Sequence, residues 1–510
     1  MNASSAENVR PNYLIIGIIL AGAFVSILNS TLLNVALPSM MADFDVKPTT
    51  IQWLATGYML VNGILIPTSA YLIQKFSVRQ LFMTAMLLFT IGTIASAISP
   101  TFAILLTGRM IQASGSAIMM PLLMNVLLSS FPIEKRGSAM GVMGLVMIFA
   151  PAIGPTLSGW IIEHYEWRYL FYMIIPIALL VILLAFFKLR DKKESVETHL
   201  DQLSVLLSSV GFGGLLYGFS SAGDKGWDSP LVYVPIIVGV IGITSLVVRQ
   251  VLIDKPMLDF RVYKYPMFAL SSVIAIVINM AMFSAMILMP IYLQTLRGIS
   301  PLDSGLLMLP GAIIMGIMSP ITGKLFDKFG GRLLAIIGLT ITVATTYFFY
   351  NLSMETEYSS LIVLYSIRML GMSMVMMPVV TNGLNSLPSR MNPHGTAINN
   401  TLNQVSAAIG SALLVSVMSS RAKLHAEELT EKAMNSLTDQ PDAQTLANIK
   451  AEIAAQSTLA GINDAFFVAF FIAILALVLA FFIKKPKRAD EPAPSQSNTN
   501  AKTLSPHAER

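Results

Sequence analysis

The sequence predicts an all-α polytopic membrane protein: two six-helix bundles plus two inserted central helices, 14 transmembrane helices in all. Three observations carry this. Fourteen apolar stretches are each long enough to span a bilayer core, which takes about 20 residues of helix. The loops between them alternate sharply in positive charge. Two loop segments, one in each half of the chain, read as copies of each other. Composition agrees: 55% of the 510 residues are hydrophobic, 12% are charged and the mean hydropathy is +0.69. A soluble chain of this length would carry far more charge.

In order, the spans fall near Tyr13–Leu37, Ile51–Ile73, Leu81–Ser99, Ala103–Leu128, Ala139–Ile162, Tyr169–Phe187, Leu203–Ala222, Leu231–Leu252, Met267–Pro290, Gly305–Leu325, Leu333–Leu352, Leu361–Thr381, Thr396–Ser419 and Ala465–Ile483. The first is too long for a signal-peptide core and lacks a small-residue cleavage site, so it is expected to be retained. An even number of spans puts both termini on one side. That side holds 23 of the 33 Lys and Arg residues and the other holds 8; Arg109 and Arg368 fall inside spans. The positive-inside rule makes the termini cytoplasmic; the expected location is a bacterial inner membrane, with which the absence of cysteine is compatible. The pI of 9.1 is then anchoring to the inner leaflet and calls for no nucleic acid. Absence of cysteine excludes disulfides, thiolate metal sites and cysteine nucleophiles.

The copies fix the organisation. Ala70, Leu72, Gln74, Lys75, Ser77 and Arg79 recur as Gly323, Leu325, Asp327, Lys328, Gly330 and Arg332, at an offset of 253. Arg109 and Arg368 repeat at 259. Duplicated halves with a site at their interface are typical of secondary transporters. Residues 1–190 form the first bundle, 191–265 the central pair with its inner loops, and 266–484 the second bundle, including an outer loop at 420–463. That loop is rich in Ala, Glu and Gln and predicts one or two short amphipathic helices outside the membrane; the tail at 485–510 predicts disorder.

Charge and polarity inside spans mark candidate function. Arg109 costs at least about 2.5–3.5 kcal/mol at mid-span, so it faces protein or water. Gln112 and Gly115 extend a polar, small-residue stripe on its face. Gly154 and Pro155 are expected to break the fifth helix. Amides at Asn29, Asn34, Asn62, Asn125, Asn279, Asn382, Asn399 and Asn403 serve either as helix–helix glue or as substrate contacts. Some of the 32 methionines suit a cavity for dissimilar apolar molecules, the rest a core. Asp327, with Lys328 and Arg332 beside it, has the chemistry of a latch between helix ends. None of the 28 acidic residues lies well inside a span. Glu163 and His164, at the outer end of the fifth, are either a solvated pair or an outward proton site coupled to Arg109 through the broken helix.

Several matched motifs give a family resemblance covering nearly the whole chain. They are Leu28, Asn29, Thr31 and Asn34 to Pro38; Trp53, Tyr58 and Pro67; Arg109, Gln112 and Gly115; Gly154, Pro155 and Gly159; then Trp167, Arg168 and Phe171. In these the chain resembles the major facilitator superfamily, within it the 14-span drug:proton antiporter group (the EmrB/QacA type, LmrB-like). The resemblance implies the major facilitator fold and export of lipophilic drugs by proton antiport with alternating access. Lys75, Arg79, Asp327, Lys328, Arg332 and Arg368 would then move with the gates. Departures matter: Gln74 stands where the family has Asp, which weakens the first-half latch, and Asn29 replaces the usual first-span Asp. Neutral or weakly charged drugs therefore fit better than dications. The proton gradient supplies energy with no cofactor or metal, and the chain is expected to be a monomer. A dedicated exporter or importer of one metabolite or antibiotic is the alternative. A membrane-bound enzyme or sensor fits poorly, with five scattered histidines, no phosphate-binding loop and no output domain.

Overall fold

In lipid each backbone amide must be paired within the protein, and a helix does this locally. The computed structural model describes residues 13–46, 48–51, 53–189, 201–253, 256–436 and 443–484, and the predicted disordered tail lies outside them. Fourteen helical stretches in it are long and apolar enough to cross a membrane. In chain order they are α1 (Tyr13–Leu33), α2 (Trp53–Lys75), α3 (Val78–Ala97), α4 (Phe102–Ser130), α5 (Ile133–His164), α6 (Tyr169–Lys188) and α7 (Gln202–Phe219). There follow α8 (Pro230–Leu252), α9 (Pro266–Leu296), α10 (Asp303–Phe329), α11 (Gly331–Tyr350), α12 (Tyr358–Leu384), α13 (Ser389–Ala433) and α14 (Leu446–Ala480).

Helices α1–α6 pack around one apolar core and α9–α14 supply a second; the first core runs on across the midline, taking in Phe268 and Ala275 of α9, Met377 and Val380 of α12 and Ala397 of α13. The inserted pair pack chiefly on each other, and α7 also lies against α2 of the first bundle and α13 of the second. Helix α8 is the lipid-facing member: 22% of its most apolar window is buried, against 72% for α4. The face carrying Lys75, Arg79, Lys135, Lys324 and Lys328 is termed the basic face below.

Glycine sets the tightest contacts. A Cβ on Gly92 of α3 would lie 2.5 Å from the Gln112 amide nitrogen and the Gly108 carbonyl of α4. In the second bundle Gly338 of α11 meets the Gly371 carbonyl of α12 in the same way. Such backbone-to-backbone approach is how helices associate where lipid removes the hydrophobic drive. Gly92→Leu is therefore expected to cut the yield of folded protein at least tenfold, read as the monodisperse peak in detergent chromatography. Gly305→Leu, which meets nothing within 4 Å, leaves that peak intact.

Two expectations are corrected here. The outer stretch Arg421–Asn463 is not a loop with short separate helices. Instead α13 continues in one helix Asn392–Ser436 and α14 begins within Ala443–Ala480, so both spans run on past the membrane as an antiparallel pair. Asp464 pins the two, accepting from Arg421 at 2.5 Å and bonding His425 at 2.9 Å. The helix break is also elsewhere. Helix Arg136–His164 passes Gly154 and Pro155 without interruption, because Gly154 is spent on close packing: a Cβ there would meet the Thr31 hydroxyl of α1 at 2.3 Å. Among the described residues α12 is broken between Tyr358–Ser373 and Met376–Leu384, and α2 tightens into a 3₁₀ turn at Ile66–Thr68, around Pro67. The freed Ser373 carbonyl of α12 is buried and accepts the Thr322 hydroxyl at 3.1 Å.

At the basic end of the inserted pair, Arg249 of α8 clamps Asp201 through two bonds of 2.8 and 3.0 Å. This guanidinium holds the Asp201 carboxyl down to about 2. A carboxyl whose folded value lies below its unfolded one stabilises at all higher pH, and that contribution fades only as pH falls from about 4 toward 2. Asp201→Asn should accordingly lower the thermal midpoint by the same amount at pH 6 and pH 8.

Candidate functional site

The two halves meet on a shared seam. On the basic side α5 and α10 touch through small residues: a Cβ at Gly141 would lie 2.6 Å from the Ser319 carbonyl, and the Ser319 hydroxyl donates 2.9 Å to the Gly141 carbonyl. At the mouth of this seam Asp327 of α10 crosses to the start of α5. Its carboxylate accepts from the Gly137 amide at 2.8 Å, the Ser138 amide at 2.9 Å and the Ser138 hydroxyl at 2.5 Å. Amides at a helix start carry partial positive charge, so an anion is held there by both hydrogen bonds and dipole. Arg136 adds a bond of 3.3 Å to Asn385 across the same seam. Asp327 thus joins two helix ends as the sequence suggested, but through the other bundle's backbone and Ser138 hydroxyl rather than through neighbouring cations. Lys328 lies over the Phe329 ring instead, and no ion pair joins Lys328 or Arg332 to Asp327 among the described residues.

Gln74, in the matching place of the first half, bonds the His394 ring at 2.9 Å, near the start of α13. The His394 Nδ1 accepts the Asp259 backbone amide at 3.1 Å. An amide nitrogen can only donate, so Nδ1 is unprotonated and Nε2 carries the ring hydrogen; the Gln74 amide, placed with its Nε2 toward the ring, is then assigned the turned-over orientation in which its carbonyl oxygen accepts. One imidazole therefore joins the first bundle, the segment after the inserted pair and the second bundle. Lys75 donates to the Tyr71 hydroxyl at 2.9 Å, and Arg79 to the Phe186 carbonyl at 3.1 Å. Both stay within the first bundle.

Behind this seal the seam holds a small cavity of about 20 Å³, room for about one water molecule. Met124, Met143 and Met147 face it from the first bundle, Met376 and Met377 from the broken α12, and Asn279, Asn399 and Asn403 from α9 and α13. Three expected amides therefore come together. Asn279 donates to the Asn403 carbonyl oxygen at 2.9 Å, while the Asn399 Nδ2 is a buried donor with no partner among the described residues. A buried unpaired donor beside polarizable thioethers suits a polar group on an otherwise apolar cargo.

Arg109, 1% exposed, lies with its guanidinium 4.2 Å from the centre of the Tyr58 ring and donates to Gln112. Gln112 passes the chain on to the Thr93 hydroxyl at 2.7 Å. So Tyr58, Arg109 and Gln112 form one buried unit. Arg368 is fully buried too; it donates to the Thr346 hydroxyl and, at 2.7 Å, to the Ala281 carbonyl. Thr93 and Thr346 differ by 253, the offset of the loop copies, and that repeat was the signal available for them. Trp53 sits apart, stacked on Tyr217 of α7 with ring centres 6.0 Å apart. Asn29 is buried, and its Nδ2 has no partner among the described residues; the Asn34 side chain lies outside them.

Glu163 and His164 are exposed at the far end of α5, where His164 bonds the Trp160 carbonyl at 2.9 Å and stacks on its ring. Neither meets Arg109 among the described contacts. With α5 unbroken, the expected link through a bend has no structural basis.

Two duplicated bundles with a shared buried seam between them define a membrane transporter of the secondary class. The chain belongs to the Major Facilitator Superfamily, whose sequence profile matches residues 19–411. It is 48% identical to the uncharacterized MFS-type transporter YhcA of Bacillus subtilis, over 96% of both chains. It is 41% identical to the lincomycin resistance protein LmrB of Listeria monocytogenes, over 95% of this chain and 99% of that one. The human organic anion transporter MFSD10 shares the fold, with a TM-score of 0.62 at 12% identity over 91% of this chain and 99% of that one. The chain is a multi-pass membrane protein.

Proposed function

We propose that this protein exports lipophilic drugs across a bacterial inner membrane in exchange for protons, as a monomer with both termini in the cytoplasm. One observation carries the reading. The Asp327 carboxylate fastens the second bundle to the first on the basic face, which charge asymmetry makes cytoplasmic. This is the outward-facing member of an alternating pair, and breaking those bonds opens the methionine- and asparagine-lined seam inward. The relatives named for lincomycin resistance and multidrug export support this cargo class.

Asp327 grips one end of α5, and Glu163 and His164 sit at its other end. Proton binding at that outer pair is in line to act along the helix itself. Everted vesicles test both ideas. Lincomycin uptake should follow an imposed inside-acid gradient and collapse with a protonophore. The Glu163→Gln, His164→Ala double variant should lower gradient-driven uptake at least fivefold while preserving lincomycin binding. Gradient-independent uptake by the parent protein would refute the antiport reading.

A further inference from the structure

Between the bundles, away from the basic seal, lies a second and much larger cavity, of about 400 Å³ and partly open. That is the size of a drug site. Two of its walls come from the bundles: Thr56 and Met59 of α2 on one side, Met286 of α9 and Gln404 of α13 on the other. The third wall is Leu216 and Tyr217 of the inserted helix α7.

The helix is held in this place by shape. Gly63 of α2 leaves a hollow that Leu216 fills; a Cβ there would lie 2.0 Å from the leucine methyl carbon. Behind it, Gly211 and Gly214 bring α8 to backbone contact, a Cβ on Gly214 falling 2.6 Å from the Pro235 carbonyl. Tyr217 is steadied by stacking on Trp53. Met59 and Met286 are 56% and 49% exposed, although both sit in spans and line this space. Among the described residues no charged side chain lines the cavity.

We propose that α7 is a working wall of the transport pathway, and that this cavity binds an uncharged or weakly basic lipophilic molecule with one or two hydrogen-bonding groups. The thioethers of Met59 and Met286 fit themselves to the apolar body. Gln404 and Thr56 take the polar group, and the Tyr217 ring, its hydroxyl engaged by Lys225 at 3.4 Å, decides with Leu216 which shapes are accepted. A permanent dication finds no carboxylate here and is rejected, since burying an unpaired charge is prohibitive. The inserted pair thus determines specificity rather than merely filling the gap between halves. The inference rests on the export reading.

The chain has no cysteine, so single cysteines can be read without background. Tyr217→Cys and Val240→Cys, the latter on the exposed face of α8, are placed in the otherwise unchanged full-length protein in nanodiscs. Each is labelled with a small methanethiosulfonate, with lincomycin or the dication propidium present. Lincomycin is expected to slow labelling at Tyr217→Cys at least fivefold and to leave Val240→Cys unchanged, with propidium protecting neither. In vesicles, Tyr217→Ala should change the lincomycin KM at least fivefold while Tyr217→Phe changes it less than twofold. Parent transport with neither protection nor a KM change at position 217 overturns the inference and leaves the export reading standing. If the parent transports no drug, the export reading fails and takes this one with it.

Discussion

Asp327→Asn is expected to reduce transport at least tenfold without unfolding the protein. The carboxylate accepts three bonds from the first turn of α5, and an asparagine would turn its own NH2 group toward a Ser138 amide that can only donate. Charged hydrogen bonds are worth about 1.5–3 kcal/mol each and the helix start adds about 0.3–1 kcal/mol. Losing about 2 kcal/mol shifts the balance between closed and open basic faces about thirtyfold. A cysteine at Ser319, buried beneath the seal, reports the shift directly: its labelling from the basic side should accelerate in the Asp327→Asn background. Lys328→Gln should change transport less than twofold, because its ammonium rests on the Phe329 ring and not on the carboxylate. Equal losses in both variants would show that bulk positive charge matters and the seal does not.

The second large effect is expected at Arg109. Arg109→Lys keeps the charge and removes the plane that lies over Tyr58, together with the fork that engages Gln112. A lysine ammonium is compact and strongly hydrated, and this site is 1% exposed. Transport should fall at least about a hundredfold, equivalent to about 2.7 kcal/mol. Thr93→Val, which removes only the last link of the chain, should cost about 0.6–1.7 kcal/mol, or about three- to eighteen-fold. A Lys variant with near-normal transport would mean that the site needs only a positive charge.

The spans and the repeat were legible because they rest on sums over many residues: apolar length for the spans and an offset of 253 for the repeat. Grouping within one helix was legible too. Arg109 and Gln112 lie one turn apart on α4, and the structure joins them. Partners between helices were not. Nothing local ties Gln74 to His394, or Asp327 to an amide 190 positions earlier, because such pairs exist only once the bundles meet. The helix break shows a different failure. Gly154 and Pro155 are residues that usually interrupt a helix, yet the helix runs on through them, and Gly154 serves instead for close approach to α1. The actual break, between Ser373 and Met376, is paid for by tertiary bonds such as that from Thr322.

The unbroken helix Asn392–Ser436 starts beside the basic seal, passes both cavities and ends well outside the bilayer. At 1.5 Å per residue its 45 residues make a strut about 67 Å long, and a strut pivots as one piece. Tilting it by about 10° near its middle swings each end by about 6 Å, in opposite directions. Gate movement on one side of the membrane is thereby displayed, reversed in direction, on the other. An antibody fragment clasping the projecting hairpin could stall the pump from outside the cell, without ever reaching the passage it blocks.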